Sequence, residues 1–194
     1  MSTALVILAA GISKRFGTDK RLHLVDGEPM LLRCLRLYDT PTLRKRLESR
    51  IVVLSGETED FCHAAKQLGY RVVYNEAPER GIASSIRLGT EAAKETEPIG
   101  VLYSVADQPY LTERTVLRVL DAFEREQSRI VAPIANGKRG NPVVFPNEFL
   151  CDLERLEGDC GGSAVIRQHA NRLLVVETEP KELEDIDWKT EETR

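Results

Sequence analysis

Three features of this 194-residue chain predict an α/β fold, with a mostly parallel sheet and helices on both faces. The first is Ala4 to Leu8, a short, unbroken apolar run of the kind found in a parallel strand covered on both sides. The second is a regular alternation of strand-like and helix-like patterns along the whole chain. The third is length, which suffices for one α/β domain with a full core and is short for two. Residues 1–194 are therefore read as one domain, without internal repeat, low-complexity linker or break in composition.

The elements follow in order. After the first strand and its loop, Leu31, Cys34, Leu35 and Tyr38 recur at helical spacing behind Pro29, a residue suited to a first turn. Ile51 to Leu54 is the second strand, and Glu57 to Asp60 is an acidic helix start. Arg71 to Tyr74 is a third strand. A helix from about Ala83 to Lys94 leads into a fourth, Ile99 to Ser104. Val116, Leu117, Leu120 and Phe123 mark one side of the next helix, which precedes a strand at Ile130 to Ala132. The polar turn from Asn136 to Gly140 leads to a strand at Asn141 to Phe145. Helical segments around Glu148 to Arg155 and Gly162 to His169 come next, then a late strand at Leu173 to Val176 and an acidic tail.

Composition narrows the function classes. Apolar content of 42% and charged content of 30% are ordinary for a globular protein. A net charge of −4 argues against a broad electrostatic grip on nucleic acid. An anionic ligand would have to be held by local cations and a metal. Cys34, Cys62, Cys151 and Cys160 lack zinc-ligand spacing and suggest a reducing compartment, with Cys34 on the apolar side of its helix. The first apolar run is short and has no basic lead, so it reads as a strand and not a signal peptide. No run reaches the roughly 20 apolar residues of a membrane span. A cytoplasmic protein is expected, and His23, His63 and His169 show no arrangement for base catalysis.

The first loop carries the strongest chemical signal. Leu8, Ala9, Ala10 and Gly11 lead from the strand into Ser13, Arg15, Gly17 and Lys20. In an open α/β sheet, a loop leaving the carboxyl end of a strand faces the ligand crevice. Small residues let backbone N–H groups approach an anion, and fixed cations balance its charge. The loop reads as a triphosphate cradle. It is neither a Walker A loop, since Gly17 is followed by Thr18-Asp19-Lys20, nor a dinucleotide fingerprint, since only Gly11 and Gly17 are present.

Other segments have two readings. Asp107, in Val105-Ala106-Asp107-Gln108-Pro109, either caps the next turn or holds Mg²⁺, a hard ion bound through few protein oxygens plus substrate phosphates. Asn75, Gly81, Ser84 and Ser85 form a loop and a helix start. The segments around Arg139, Gly140 and Pro142 and around Gly158 and Asp159 are turns, with or without a ligand. Asp185 and Asp187 read as part of a solvated acidic tail.

The run from Leu8 to Lys20 resembles the signature L-A-A-G-x-S-x-R-x-G-x-x-K of the MobA-like nucleotidyltransferases, with every fixed position filled. Asp107-Gln108-Pro109 resembles that family's metal-binding segment. The likeness runs from Leu8 to about Asp187 and implies a three-layer αβα, Rossmann-like nucleotidyltransferase fold with Mg²⁺-dependent chemistry. It implies Arg15 on the β- and γ-phosphates, Lys20 on the α-phosphate, and Asp107 with Asp187 on the metal. The Asn75, Gly81, Ser84 and Ser85 spacing resembles the family's base and ribose segment. Gln108, Arg139, Gly140, Pro142, Gly158 and Asp159 resemble its acceptor side, although Asn141 replaces a usual His and Trp188-Lys189 replaces Thr-Pro.

The best-known members join a nucleotide to molybdopterin, which implies a client molybdoenzyme for the product. Ala9-Ala10-Gly11 and Gln108 resemble the cytidylyl branch, so the expectation is CTP:molybdopterin cytidylyl transfer with release of pyrophosphate. GTP, or another phosphorylated acceptor, is the nearest alternative. A non-catalytic molybdopterin carrier is the alternative of another class.

Overall fold

The computed structural model describes residues 2–11, 19–56 and 59–186. The chain opens with β1 (Thr3–Ala9), a 3-10 turn at Lys20–Leu22, and a small hairpin of β2 (Leu24–Val25) and β3 (Glu28–Pro29). Asp26 and Gly27 both have positive φ, 52° and 80°, the left-handed pair that a tight two-residue hairpin turn requires. Helices α1 (Met30–Leu37) and α2 (Pro41–Arg46) lead to β4 (Arg50–Leu54). Thr40 caps α2 by accepting from the Leu43 N–H, and Pro41 supplies a preset first-turn φ. Then come α3 (Glu59–Gln67), β5 (Arg71–Tyr74), α4 (Ile82–Lys94), β6 (Gly100–Val105), α5 (Glu113–Arg125) and β7 (Ile130–Ala135). The remainder is β8 (Lys138–Arg139), β9 (Val143–Pro146), α6 (Leu150–Glu154), α7 (Ser163–Gln168) and β10 (Leu173–Glu177).

Eight strands form the main sheet in the order β10-β7-β9-β6-β1-β4-β5, with β8 paired to β7. The pairs of β1 with β4 and β6, β4 with β5, and β7 with β10 are parallel. Those of β9 with β6 and β7, and of β8 with β7, are antiparallel. The expected mostly parallel sheet is what forms.

Alternation along the strands builds the two faces of the core. Leu5, Ile7 and Ala9 of β1, with Val52, Leu54 and Leu102, meet α1, α2, α3 and α5 through Leu31, Leu35, Leu43, Phe61 and Phe123. Ala4 and Val6, with Ile51, Val53, Val101 and Tyr103, meet α4, α6 and α7 through Ile86, Ala93, Leu153, Val165 and Ile166. Three layers result. Cys34 is buried in the first of these clusters, as its helical spacing predicts.

Several boundaries differ from the sequence reading. The strand expected at Asn141 begins at Val143, where pairing with Tyr103 of β6 starts. Part of the expected polar turn is strand, since Lys138 and Arg139 pair back onto β7. The helix expected from Glu148 to Arg155 is a 3-10 turn at Asn147–Phe149 followed by the shorter α6. On α5, Leu117 is only partly buried and Val119 takes its place in the core.

Gly89 fixes how closely α4 approaches the sheet. A Cβ there would collide with Val6 Cγ1 of β1 and reach 3.2 Å from Val53 Cγ2 of β4. Alanine is the better helix former by about 1 kcal/mol, yet overpacking a well-filled core costs about 1–3 kcal/mol. Gly89→Ala is therefore predicted to lower the urea midpoint of unfolding. A variant as stable as the parent, or more so, would show that the helix has room to move.

Candidate active site

Strand topology selects where a ligand can enter. The connection from β1 to β4 runs through α1 and α2 on one face, whereas α4 crosses on the other face to deliver β6 to the opposite side of β1. The crevice of an open sheet opens at such a reversal, beyond the carboxyl ends of the strands. Ala9, Ala10 and Gly11 leave β1 there, Ser55 follows β4, and Asp107 stands two residues past β6. The Ser55 hydroxyl donates to the Ala10 carbonyl at 2.9 Å, which ties the start of the first loop to the end of β4.

Lys20 and Asp107 meet across this crevice. The ammonium Nζ donates to Oδ2 at 3.0 Å, joining residues 87 positions apart. Their side chains are 16% and 34% exposed, so the pair is neither fully solvated nor sealed. The turn that presents Lys20 is held by its neighbours. Asp19 caps the 3-10 turn by accepting from the Arg21 N–H at 3.0 Å. Its two oxygens also receive Arg21 Nε at 2.8 and 3.0 Å and Nη2 at 2.6 Å. Burial pushes the Asp19 carboxyl up, but the hydrogen bonds and charge of Arg21 outweigh it and hold the group below its ordinary value. Arg21 Nη1 then donates to the carbonyls of Ser55 at 2.8 Å and Ala9 at 3.4 Å.

The Asp107 loop is fastened from two sides. From α1 and its end, Cys34 Sγ donates to the Val105 carbonyl at 3.5 Å, Arg33 Nε to the Pro109 carbonyl at 2.7 Å, and the buried Tyr38 hydroxyl to Ser104 Oγ at 2.8 Å. Burial pushes the Cys34 thiol up to about 12, with the Asp107 charge adding to the rise, so the thiol stays protonated at neutral pH. From the other side, the Ile186 N–H donates to the Asp107 carbonyl at 3.0 Å. Gln108 Nε2 donates to Asp185 Oδ1 at 2.8 Å and to the Leu183 carbonyl at 3.4 Å, while Gln108 Oε1 is buried without a hydrogen-bond partner. Leu183 also packs on Gly140, where a Cβ would come within 2.7 Å of its Cδ2. The segment after β10 thus joins the Gly140 turn to the Asp107 loop.

A second group forms around the start of α4. Asn75 is buried and spends its amide inside the protein. Nδ2 donates to Ser84 Oγ at 2.8 Å and Ser85 Oγ at 2.9 Å, and Oδ1 accepts from the Ala77 N–H at 3.0 Å. Ser84 Oγ in turn donates to the Gly81 carbonyl at 2.8 Å. Gly81, at φ 89°, lies so close to the Gly158 backbone that no side chain fits, and the Ala83 N–H donates to the Gly158 carbonyl at 3.1 Å. Residues read separately as base-side and acceptor-side are therefore neighbours here.

Of the residues singled out in the sequence, the structure brings together Leu8, Ala9, Ala10, Gly11, Lys20, Asp107 and Gln108 around β1 and β6, and Asn75, Gly81, Ser84, Ser85, Gly158 and Asp159 around α4. Arg139 is exposed on β8 and Pro142 is buried beyond it. Ser13, Arg15, Gly17 and Asp187 lie outside the described residues. Among the described residues no cluster of three or more metal-ligating side chains occurs. A partly exposed carboxylate such as Asp107 suits Mg²⁺, which takes one or two carboxylates plus substrate phosphates. Arg21, Ser55 and Arg33 were not legible as site residues, because the contacts that tie them to the site are made to backbone carbonyls remote in sequence.

The MobA-like NTP transferase domain model matches residues 5–173, a span that contains Lys20, Asn75 and Asp107. A probable molybdenum cofactor guanylyltransferase of Thermococcus gammatolerans is 34% identical over 130 residues, covering 66% of this chain and 60% of that protein. One from Pyrococcus horikoshii is 32% identical over 136 residues, covering 69% and 62%. The chain thus spans about 60% of the length of these curated relatives. In three dimensions, the crystal structure of Rv0371c from Mycobacterium tuberculosis H37Rv superposes with a TM-score of 0.79 at 25% identity, over 97% of this chain and 95% of that one. Among the described residues no helix is long and apolar enough to cross a membrane. With the family model matching most of the chain, the protein belongs to the MobA-like NTP transferase domain family.

Proposed function

We propose that this protein transfers a nucleoside monophosphate from a nucleoside triphosphate to the terminal phosphate of a molybdopterin-type acceptor. An oxygen of the acceptor phosphate bonds to the α-phosphorus, the bond from that phosphorus to the bridging oxygen breaks, and pyrophosphate leaves with the electron pair. The observation that carries the reading is the Lys20–Asp107 contact at 3.0 Å over the sheet reversal. It sets one cation and one carboxylate where a triphosphate and a metal would have to meet.

A phosphate monoester is largely ionised at neutral pH, its second pKa being about 6, so the reaction asks for no strong general base. Alignment and charge stabilisation then do most of the catalysis. Lys20 would leave Asp107 for the α-phosphate as negative charge develops there, and Arg15 would hold the β- and γ-phosphates. Asp107, with Asp187, would hold Mg²⁺, which when bound neutralises phosphate charge and orients the leaving group. Gly140 and Gln108 lie beside Asp107 through Leu183, which supports an acceptor side next to the metal carboxylate.

The names of the relatives support guanylyl transfer from GTP. Cytidylyl transfer is the second reading and rests on Ala9-Ala10-Gly11 and Gln108. The structure takes weight from both of those features. The Ala10 side chain is packed in the core with Val6 and Ile86, and the Gln108 amide is bound to the segment at Leu183 and Asp185. Neither is placed as an open reader of a base. A non-catalytic pterin carrier would have no use for the Lys20 and Asp107 arrangement.

Pyrophosphate release with GTP, CTP, ATP and UTP, each with Mg²⁺ and with or without molybdopterin, tests the proposal. Release from GTP that requires the pterin is expected. Release from CTP instead would keep the chemistry and establish the second reading. Silence from all four in protein that binds the pterin would leave the carrier.

Two substitutions probe the residue roles. Lys20→Ala is predicted to lower kcat by about 10²–10³-fold, the usual cost of one lost transition-state donor, while nucleotide Kd changes far less. Equal losses in both would assign Lys20 to ground-state binding. Asp107→Asn should abolish the Mg²⁺-dependent rate, and full activity in that variant would move the metal elsewhere.

A further inference from the structure

We infer that Arg21 is the positioning residue that aims Lys20 into the crevice, a role that rests for its catalytic consequence on the nucleotidyl transfer proposed above. Arg21 directly follows Lys20, but its chemistry is turned the other way. Its side chain is 13% exposed, and its guanidinium faces protein oxygens. Nε and Nη2 grip the Asp19 carboxylate, and Nη1 reaches the Ser55 and Ala9 carbonyls.

Those two carbonyls lie at the carboxyl ends of β4 and β1, so one planar group ties the turn to both strands beside the sheet reversal. The Lys20–Leu22 turn is a 3-10 helix, in which successive side chains project about a third of a turn apart. Holding Arg21 inward therefore holds Lys20 outward, where Nζ meets Asp107 at 3.0 Å. Lysine cannot replace this clamp, because a single ammonium cannot span the Asp19 carboxylate and two strand-end carbonyls in one fixed plane. Arg21 needs no contact with substrate to act.

The test begins without ligand. Lysine ammonium groups held in an ion pair give ¹H–¹⁵N correlations at low temperature and mildly acidic pH, and the Lys20 signal is identified by its loss in Lys20→Ala. Arg21→Ala and Arg21→Lys should each remove or shift that signal. Arg44→Ala, which breaks an exposed pair with Asp39, should leave it unchanged. The charge-conserving Arg21→Lys guards against a fold defect, and thermal melting of each variant confirms a folded protein.

In turnover, Arg21→Ala should lower kcat by up to about 10²-fold, the scale of a small misplacement of a catalytic group. The same substitution in a Lys20→Ala background should add no further loss, because Arg21 acts through Lys20. An unchanged Lys20 signal in both Arg21 variants, or losses that multiply in the double variant, would overturn the inference. Absence of turnover in the parent with every triphosphate would sink the functional reading alone, and the ammonium signal would still decide the positioning role.

Discussion

Burying β1 on both faces, between two parallel neighbours, is the constraint from which the rest of the site follows. Leu5 and Ile7 must meet one helical layer and Val6 the other, so the strand is confined to the middle of the sheet. Gly89 lets α4 lie close enough to seal its second face. A strand enclosed in this way can release its chain only at the edge, and the topology makes that edge the point of reversal. Ala10, Ser55 and the Asp107 loop converge because of that confinement.

Charge is organised locally in a protein of net charge −4. Lys20 and Arg21 are adjacent cations with opposite assignments. One meets the crevice carboxylate and the other binds the fold. Arg33 does for the Asp107 loop what Arg21 does for the Lys20 turn, gripping the Pro109 carbonyl from α1. Planar guanidinium groups bound to protein oxygens hold the segments that carry the crevice ammonium and carboxylate. The segment after β10 completes the frame through Leu183, Asp185 and Ile186.

The strands β1, β4 and β6, apolar on both faces, were legible in the sequence, and they and the edge strand β5 fall within a residue or two of their predicted bounds. Lys20 and Asp107 were legible by spacing and by resemblance. The β2–β3 hairpin was not read, despite Asp26-Gly27, because two-residue strands carry no periodic pattern and Leu24 is exposed. The short α2 escaped for a similar reason, although Thr40-Pro41 is a capping signal. Arg21 was invisible because nothing in a sequence says which cation will turn inward toward carbonyls 12 and 34 residues away. Asn75, Ser84 and Ser85 were singled out by resemblance, but their mutual hydrogen bonds, which join residues 9 and 10 positions apart, appear only in the folded chain.

The central claim is that an acceptor phosphate oxygen forms the new bond to the α-phosphorus at the Lys20–Asp107 crevice. Mass analysis of products, from a reaction whose acceptor carries ¹⁸O in its terminal phosphate, tests it most directly. The account predicts a pterin–nucleotide product that keeps the acceptor's label and a pyrophosphate that contains none. Label in the pyrophosphate, or release of orthophosphate in its place, would contradict it.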